Sequence, residues 1–398
     1  MNWKIPFSGR SHKYTNSEID TVVDTMRLAD PLTQGRYRNE FERKFSNYLE
    51  TGSRSYAVCN ATAALELAAQ LCQFDDGDEV IIPAHTFTST AYPFVKYGAK
   101  IVWADIDSDT HVVTADTIHK CITDRTKAVV VVHLYGYMAD MRNIIESVRD
   151  IPFVIEDAAQ ALGTKQVMSS GRREITTNWY QTAGTFGDFG AFSLHSHKNI
   201  TTLGEGGILL DNKGYDEVIP MLRHNGHCGY PEREDYWIPA MGNVDLPMLQ
   251  GKYLMPHNFC LGEVECALGT QLLKRIDIIN YQKRTRAIEF IDALADYPQL
   301  KFHREPTERH NYHLLVAEMV DGDRDEFMRK MAYEHGIQCV VQYMPLYRYP
   351  LYQKLGLGDA DCPVTDKFYD NMVSFPFQHS LNDGEIDYML GCVKESLE

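Results

Sequence analysis

The chain has 398 residues, more than one compact core usually holds, so two domains or a large domain with a smaller partner are expected. Its 39 basic and 55 acidic residues give a formal net charge of −16, which argues against nucleic acid as the main ligand. No apolar run is long enough to cross a membrane and no secretory signal precedes the first elements, so a cytoplasmic protein is expected.

Short apolar runs alternate with helical stretches between residues 55 and 210. The predicted strands cover 78–84, 100–106, 127–135, 152–158 and 187–194, and the predicted helices cover 61–72, 87–97, 114–122 and 139–149. This alternation is typical of an α/β unit with a mainly parallel sheet. Such sheets bind ligands at the carboxyl ends of their strands, which points to Asp157, Ser193 and the loop that carries Lys198.

The second half of the chain has a different organisation. The stretches 165–186 and 224–256 are polar or rich in glycine, proline and aromatic residues, and both are predicted to be long loops. Long helices and then further strands follow from about residue 258. We therefore predict a large domain over 1–255 and a smaller C-terminal α+β domain over 256–398.

The stretch "VCNATAALELAAQ" predicts a helix that begins directly after Asn60. Asn60 is a good N-cap, and the first N–H groups of the helix have no partner inside it. With the Thr62 hydroxyl they form a possible seat for a phosphate. Taken alone this signal is weak, because most capped helices bind no anion.

The stretch "FVIEDAAQALG" places Asp157 at the end of an apolar strand. A carboxylate there can hold Mg²⁺, pair with a cationic ring nitrogen, or cap the next helix. The Mg²⁺–nucleotide interpretation would need a G-x-x-x-x-G-K-[ST] loop, which the chain does not contain. The other two interpretations stay open at this point.

The stretch "SLHSHKNITTLGEGG" carries Lys198 between a buried-looking strand and a glycine-rich turn. Most lysines lie on the solvated surface, but one that is desolvated at such a place becomes a nucleophile and can form a Schiff base. The nearby His195 and His197 could bind a metal, yet no H-E-x-x-H or C-x-x-C motif supports them. We expect no metal site and reduced, free cysteines.

The order of these three signals is more informative than any one of them. A phosphate seat, a carboxylate at a strand end and a loop lysine match a cofactor with a phosphate, a basic ring nitrogen and an aldehyde. Pyridoxal phosphate has all three groups.

The sequence also resembles a known family. The motifs "AVCNATAAL", "GDEVIIPAHTFTSTAYPF", "VIEDAAQALG", "GAFSLHSHKNITTLGEGGILL" and "NFCLGEVECALGTQLLKRI" occur in the order found in the DegT/DnrJ/EryC1/StrS sugar aminotransferases. The resemblance covers nearly the whole chain. It implies the α/β architecture of fold-type I pyridoxal phosphate enzymes, with a large domain built on a mainly parallel sheet and a smaller C-terminal domain.

The resemblance implies a role for each matching residue. Lys198 would bond to the cofactor, Asp157 would pair with the ring nitrogen, Gln160 would bind the ring hydroxyl, and Phe87 would stack on the ring. Ala61, Thr62 and Ser193 would bind the phosphate, and Asn258 would reach the phosphate in the neighbouring subunit of a homodimer.

The implied reaction moves an amino group from glutamate to a keto- or aldehyde-sugar by a ping-pong Schiff-base mechanism. The chain departs from the family pattern at Cys260, where an arginine is usual, and at Gln342 and Tyr347, where histidine is frequent. Loss of that arginine weakens the case for a nucleotide-linked sugar. A free sugar acid such as 8-oxo-3,8-dideoxy-octulosonate, used in lipopolysaccharide biosynthesis, is therefore a candidate substrate.

Three alternatives remain to be weighed. A pyridoxal-phosphate sugar dehydratase carries histidine in place of the lysine, but Lys198 lies six residues before Gly204, as in the aminotransferases. A non-catalytic ligand sensor with the same fold would not need Lys198, Asp157 and Gln160 together. A metal-dependent hydrolase is favoured by the histidines alone.

Overall fold

The computed structural model describes residues 3–11, 13–170, 177–228 and 242–398 of the chain. Its strands are β1 (Arg54–Val58), β2 (Glu79–Pro83), β3 (Lys100–Ala104), β4 (Thr126–Val132), β5 (Phe153–Asp157), β6 (Lys165–Ser170), β7 (Thr177–Thr182), β8 (Phe189–Ser193), β9 (Gly207–Asp211), β10 (His227–Cys228), β11 (Asn243–Val244), β12 (Met248–Leu249), β13 (Lys252–Tyr253), β14 (Leu300–Phe302), β15 (Leu315–Met319) and β16 (Met372–Phe375). The helices are α1 (Asn16–Leu28), α2 (Arg36–Tyr48), α3 (Ala61–Leu71), α4 (Tyr92–Lys96), α5 (Ala115–His119), α6 (Met141–Ser147), α7 (Ile219–Arg223), α8 (Glu263–Leu273), α9 (Ile276–Asp292), α10 (Arg324–Tyr333), α11 (Pro350–Lys354), α12 (Pro363–Asn371) and α13 (Asp383–Leu397).

The main sheet has seven strands in the order β1-β9-β8-β5-β4-β2-β3. Strand β9 runs antiparallel to both of its neighbours, and the remaining pairs are parallel. The prediction of an α/β fold with a mainly parallel sheet is confirmed. All five predicted strands form, each within the predicted range or one residue outside it.

The register of the sheet brings the predicted site residues to one edge. Val132 of β4 pairs with Asp157 of β5, and Asp157 pairs with Ala191 of β8, two residues before Ser193. Strand β1 runs in the same direction as β8, because both are antiparallel to β9. The N-terminus of α3 therefore lies at the same edge as the ends of β4, β5 and β8.

The apolar side chains form two separate buried clusters. The first surrounds the main sheet and includes α3, α8 and the start of α9. The second is built from α9 after Ala287, α10, α13 and the antiparallel sheet β14-β15-β16, with Ile5 added from the N-terminal segment. The boundary between residues 255 and 256 stays a prediction.

Part of the stretch predicted as a loop over 165–186 is a hairpin. Strands β6 and β7 pair in antiparallel register from Lys165 with Thr182 to Ser170 with Thr177, and residues 171–176 lie outside the described ranges. The polar and serine-rich sequence of this stretch did not indicate strands. The hairpin lies away from the core, since Val167 and Tyr180 are 50% and 58% exposed, so its strands do not need an apolar composition.

The stretch 224–256 contains only the two-residue strands β10 to β13 in its described part, and residues 229–241 lie outside it. Within the described ranges, no helix combines the length and the apolar composition needed to cross a membrane.

Strand β5 is held in place by the buried carboxylate of Glu156. Its oxygens accept hydrogen bonds from the backbone N–H groups of Gly184 (2.7 Å), Phe186 (2.6 Å) and Gly187 (2.7 Å), and His133 Nε2 lies 2.8 Å away. These contacts join the turn before β8 to the end of β5. A fully buried carboxylate needs hydrogen-bond donors for both of its oxygens, because an unpaired buried charge destabilises the folded state.

Glu156→Gln should destabilise the protein by about 3 kcal/mol, because the amide NH₂ would face backbone donors that now meet an oxygen. Calorimetric unfolding of the variant should give a lower Tm than that of the wild type. The exposed Glu146→Gln is the matched control and should leave Tm close to the wild-type value. Equal Tm values for both variants would contradict this account of β5.

Candidate active site

A cavity of about 530 Å³ opens at the carboxyl edge of the main sheet. It contains seven of the eight residues that the sequence predicts for the site, namely Ala61, Thr62, Phe87, Asp157, Gln160, Ser193 and Lys198. These residues come from four separate stretches of the chain. The sheet order brings them together, since each stretch follows or ends a strand of the same sheet or begins a helix beside it.

Helix α3 begins directly after Asn60, as the sequence predicts. Asn60 caps this helix, and its side chain accepts a hydrogen bond of 2.9 Å from the N–H of Ala63. The N–H groups of Ala61 and Thr62 lie before the first intrahelical hydrogen bond, so they have no partner inside the helix. They lie at the N-terminal end of α3, where the helix dipole is positive. The Thr62 hydroxyl donates to Ser89 Oγ at 2.8 Å, which adds a hydroxyl that the sequence did not single out.

The glycine-rich turn after Lys198 allows β9 to approach the helix end. A Cβ atom on Gly207 would collide with the backbone of Asn60 and Ala61, and one on Gly206 would collide with the Thr202 side chain. Only glycine fits at these two positions. The close approach expected from "LGEGG" therefore fixes the lysine loop against the phosphate seat.

Asp157 lies at the end of β5 and is almost completely buried. Its carboxylate accepts hydrogen bonds from the Thr90 hydroxyl (2.7 Å) and from the N–H of Ala159 (3.1 Å). Within the described part of the chain no basic side chain forms an ion pair with it. A buried carboxylate that has only neutral donors is suited to receive a cationic group from a ligand.

Lys198 is held at the cavity through its backbone. Its carbonyl accepts a hydrogen bond of 2.6 Å from the Ser11 hydroxyl, and its N–H donates to the carbonyl of His195 at 2.8 Å. Burial lowers the pKa of Lys198 to about 8, although the negative charge of Asp157 opposes this shift. The amine is therefore partly neutral near pH 7 and is available as a nucleophile or a base.

Gln160 and Phe87 meet at Tyr343, a residue that the sequence did not indicate. Gln160 Oε1 accepts from the N–H of Tyr135 at 2.6 Å, and its Nε2 donates to the Tyr343 hydroxyl at 3.2 Å. The ring of Phe87 is half exposed over the cavity and lies edge-on to Tyr343, with 5.7 Å between the centroids. Burial raises the pKa of Tyr343 to about 12, so its hydroxyl keeps its proton at neutral pH.

Asn258 is the one predicted residue that does not line the cavity of its own chain. Its side chain is exposed, and its backbone forms an isolated antiparallel bridge with His224. Two further cavity residues, Lys283 and His313, were also missed by the sequence analysis. No local motif marks them, because they reach the cavity only through the packing of α9 and the segment before β15.

His195 and His197, the two candidate metal ligands, lie beside each other in the cavity lining. The rings of His195 and His197 are 4.9 Å apart, and His195 Nε2 lies 3.7 Å from Glu205 Oε1. Among the described residues, no group of three or more potential ligands is placed to hold a metal ion. Burial, with the neighbouring His195 and Lys198, lowers the pKa of His197.

The residues that depart from the family pattern differ in location. Gln342 lines the cavity, and its buried Oε1 has no partner among the described residues. Tyr347 is buried outside the cavity and donates to Asp366. Cys260 is partly buried beside the backbone of Arg223, with 3.7 Å between its sulfur and that carbonyl oxygen. All nine cysteines are unpaired in this structure.

Comparison with known proteins identifies the family of this chain. Residues 13–394 match the DegT/DnrJ/EryC1/StrS aminotransferase family. The chain belongs to this family. It is 32% identical to the L-glutamine:2-deoxy-scyllo-inosose aminotransferase of Streptomyces kanamyceticus, covering 85% of this chain and 78% of that protein. It is 28% identical to the GDP-perosamine synthase of Vibrio cholerae, covering 97% and 96%.

The solved structures agree with the family assignment. The PMP form of Spr1654 from Streptococcus pneumoniae superposes with a TM-score of 0.82 at 27% identity, covering 99% of this chain and 97% of that one. Its PLP form gives a TM-score of 0.81 at 26% identity, with 99% and 98% coverage. The chain is thus a pyridoxal-phosphate-dependent aminotransferase of fold type I.

The cavity fits this cofactor on its own chemistry. It offers a helix N-terminus with hydroxyls for a phosphate, a buried carboxylate without a cationic partner for a ring nitrogen, and an amine of lowered pKa for an aldehyde. The dehydratase alternative, with histidine in place of the lysine, does not match this set, because Lys198 itself enters the cavity.

The lowered pKa of Lys198 predicts a specific pH dependence. In the enzyme stripped of cofactor, the rate of borohydride-trapped attachment of pyridoxal phosphate to Lys198 should rise with pH and reach half its maximum near pH 8. The sign follows because only the neutral amine, present above the pKa, attacks the aldehyde. Peptide mapping by mass spectrometry measures the label, and Lys198→Arg should carry none at this position. A midpoint above about pH 10, the value of an ordinary lysine, would contradict the prediction.

Proposed function

We propose that the enzyme transfers an amino group from glutamate to a keto- or aldehyde-sugar, with Lys198 as the catalytic residue. The observation that carries this proposal is the convergence of Lys198, Asp157 and the start of α3 on one cavity. Two relatives support a sugar acceptor: one is a GDP-perosamine synthase, and Spr1654 is a putative sugar aminotransferase.

Each predicted residue then has a task toward the cofactor. Asp157 would hold the protonated ring nitrogen, Gln160 would donate its Nε2 hydrogen to the ring hydroxyl, and Phe87 would cover one face of the ring. The phosphate would be held by the residues that surround the end of α3, namely Ala61, Thr62 and Ser193, to which the structure adds Ser89.

When bound, pyridoxal phosphate supplies an electron sink that stabilises the negative charge left on a substrate carbon after it loses a proton. Lys198 supplies the base: its neutral Nζ can accept a proton from the α-carbon of the amino donor and deliver it to the reactive carbon of the cofactor within the same half of the reaction, and it would run this transfer in reverse with the acceptor. With a pKa near 8, roughly a tenth of the amine is already neutral at pH 7. Asp157 keeps the charge on the ring nitrogen in place throughout.

The acceptor that we favour is a free sugar acid, such as 8-oxo-3,8-dideoxy-octulosonate. Cys260 stands where the family pattern has an arginine, and a neutral thiol cannot pair with a nucleotide phosphate as a guanidinium does. Burial raises the pKa of the Cys260 thiol, so the side chain carries no charge of either sign at neutral pH. A product of this type would enter lipopolysaccharide biosynthesis.

We also propose a cytoplasmic homodimer in which the active sites are shared. Asn258 is exposed and lies outside the cavity of its own chain, so its side chain is free to serve a second copy. It would then bind the phosphate of the cofactor in the neighbouring subunit. The symmetry of such a pair gives two equivalent sites, each with residues from both chains.

The reaction is tested by adding glutamate to the purified enzyme loaded with its cofactor. The yellow absorbance should fade as one equivalent of 2-oxoglutarate appears, and a panel of keto- and aldehyde-sugars should then restore it. Asp157→Asn should slow this first half by about 100-fold or more while the cofactor stays bound, because the neutral amide does not stabilise the ring charge. The exposed Asp116→Asn is the matched control. A colour that glutamate does not change would contradict the proposed function.

The shared site is tested by mixing two impaired variants, Lys198→Ala and Asn258→Ala. If Asn258 acts across the interface, hybrid dimers regain one complete site, and the mixture should recover up to about a quarter of the wild-type activity. If Asn258 acts within its own chain, mixing should restore nothing. Sedimentation of the wild type provides the control, since a monomer would also contradict the proposal.

A further inference from the structure

Lys283 is a second lysine in the cavity, and its environment is unusual. Its side chain is only 3% exposed, although it projects from α9 in a segment with many charged residues. Nζ donates to the carbonyl of His313 at 2.9 Å and to Asn199 Oδ1 at 3.2 Å. Both acceptors are neutral, and the third N–H has no acceptor among the described residues.

The carboxylates of the cavity do not compensate this charge. In the described lining only Asp157 and Glu205 are acidic; neither forms an ion pair with Lys283, and Glu205 lies instead near His195. Burial without a counter-charge lowers the pKa of Lys283 to about 7. A buried lysine that lacks a carboxylate partner is destabilising unless a ligand supplies one.

His313 is a second polar residue in this part of the lining. The hydrogen bond from Lys283 Nζ to the His313 carbonyl joins the two residues, and both line the same cavity. The buried Nδ1 of His313 has no partner among the described residues. Burial, and then the nearby Lys198 and Lys283, hold the pKa of His313 well below its usual range, so the ring is neutral and can donate one hydrogen bond.

We propose that Lys283 and His313 form a carboxylate-binding subsite of the cavity. The subsite rests on the proposed function, because the carboxylate is supplied either by the amino donor or by a sugar-acid acceptor. The ammonium group and the imidazole N–H would each donate to the carboxylate in a desolvated place, where charge-assisted hydrogen bonds are strong. This subsite also explains how the enzyme can accept an anionic substrate without the arginine replaced by Cys260.

The subsite is tested by calorimetric binding to the holoenzyme with two matched pairs of probes. Glutarate is compared with neutral glutaramide for the amino-donor shape, and gluconate with neutral sorbitol for the sugar-acid shape. Lys283→Gln keeps a hydrogen-bond donor but loses the charge, so it should weaken at least one acid by about 10-fold or more. Its neutral partner should bind as before, and the acid affected identifies the source of the carboxylate.

Asn280→Ala is the structural control, because Asn280 belongs to the same buried network through Asn199 but carries no charge. It should leave the preference for the acids intact. If Lys283→Gln does not fold, His313→Gln should show the same loss to a smaller degree. Equal binding of acid and neutral probes by the wild type, or unchanged acid binding in both variants, would overturn the subsite.

Half-reaction kinetics separate this inference from the proposed function. Lys283→Gln should raise KM for glutamate or for the sugar acid, whichever carries the bound carboxylate, with a smaller change in kcat. If the wild type transaminates and Lys283→Gln has the same KM values as the wild type for glutamate and for the sugar acid, the subsite is refuted and the proposed function is not. Wild-type enzyme that binds the acids through Lys283 but does not react with glutamate refutes the proposed reaction and leaves the subsite standing.

Discussion

The active site depends on two adjacent carboxylates at the end of β5, Glu156 and Asp157, which differ in how many hydrogen bonds they accept from the protein. Glu156 points to the side where three backbone N–H groups and His133 surround it, and its charge is fully used inside the protein. Asp157 points to the other side and has only two neutral donors. Because neighbouring residues of a strand face opposite sides, one carboxylate fixes the sheet while the next remains available to a ligand.

The second constraint is the contact between β9 and the start of α3. Gly207 permits a backbone approach that any side chain would prevent, and this approach ties the turn after Lys198 to Asn60. The loop of Lys198 and the start of α3 are therefore held at a fixed spacing by main-chain packing. A ligand with an aldehyde at one end and a phosphate at the other needs that spacing to be rigid, since positioning contributes directly to rate.

The site residues that could be predicted from the sequence are those whose neighbours in the sequence form a recognisable pattern. Asn60 is followed at once by its helix, Asp157 ends an apolar strand, and Lys198 precedes a glycine turn, so each signal lies within about ten residues. Tyr343 and His313 escaped because they reach the cavity from the second half of the chain, through contacts that no local pattern encodes. The hairpin of β6 and β7 was missed for a related reason: among those of its side chains that the structure describes, only Thr182 is buried, so no apolar face imposes an alternating pattern.

The cavity is less acidic than the protein as a whole. The whole chain carries a formal charge of −16, which would repel anionic substrates at long range, whereas the described cavity lining holds two lysines against two carboxylates. At physiological ionic strength the field of distant surface charges is screened within about 8 Å, whereas groups inside a desolvated cavity act on one another with little screening. Recognition of anions therefore depends on the lining alone. Because our proposal assigns Asp157 to a ring nitrogen and Lys198 to an aldehyde, Lys283 is the remaining lysine in the described lining that has no counterpart in the cofactor.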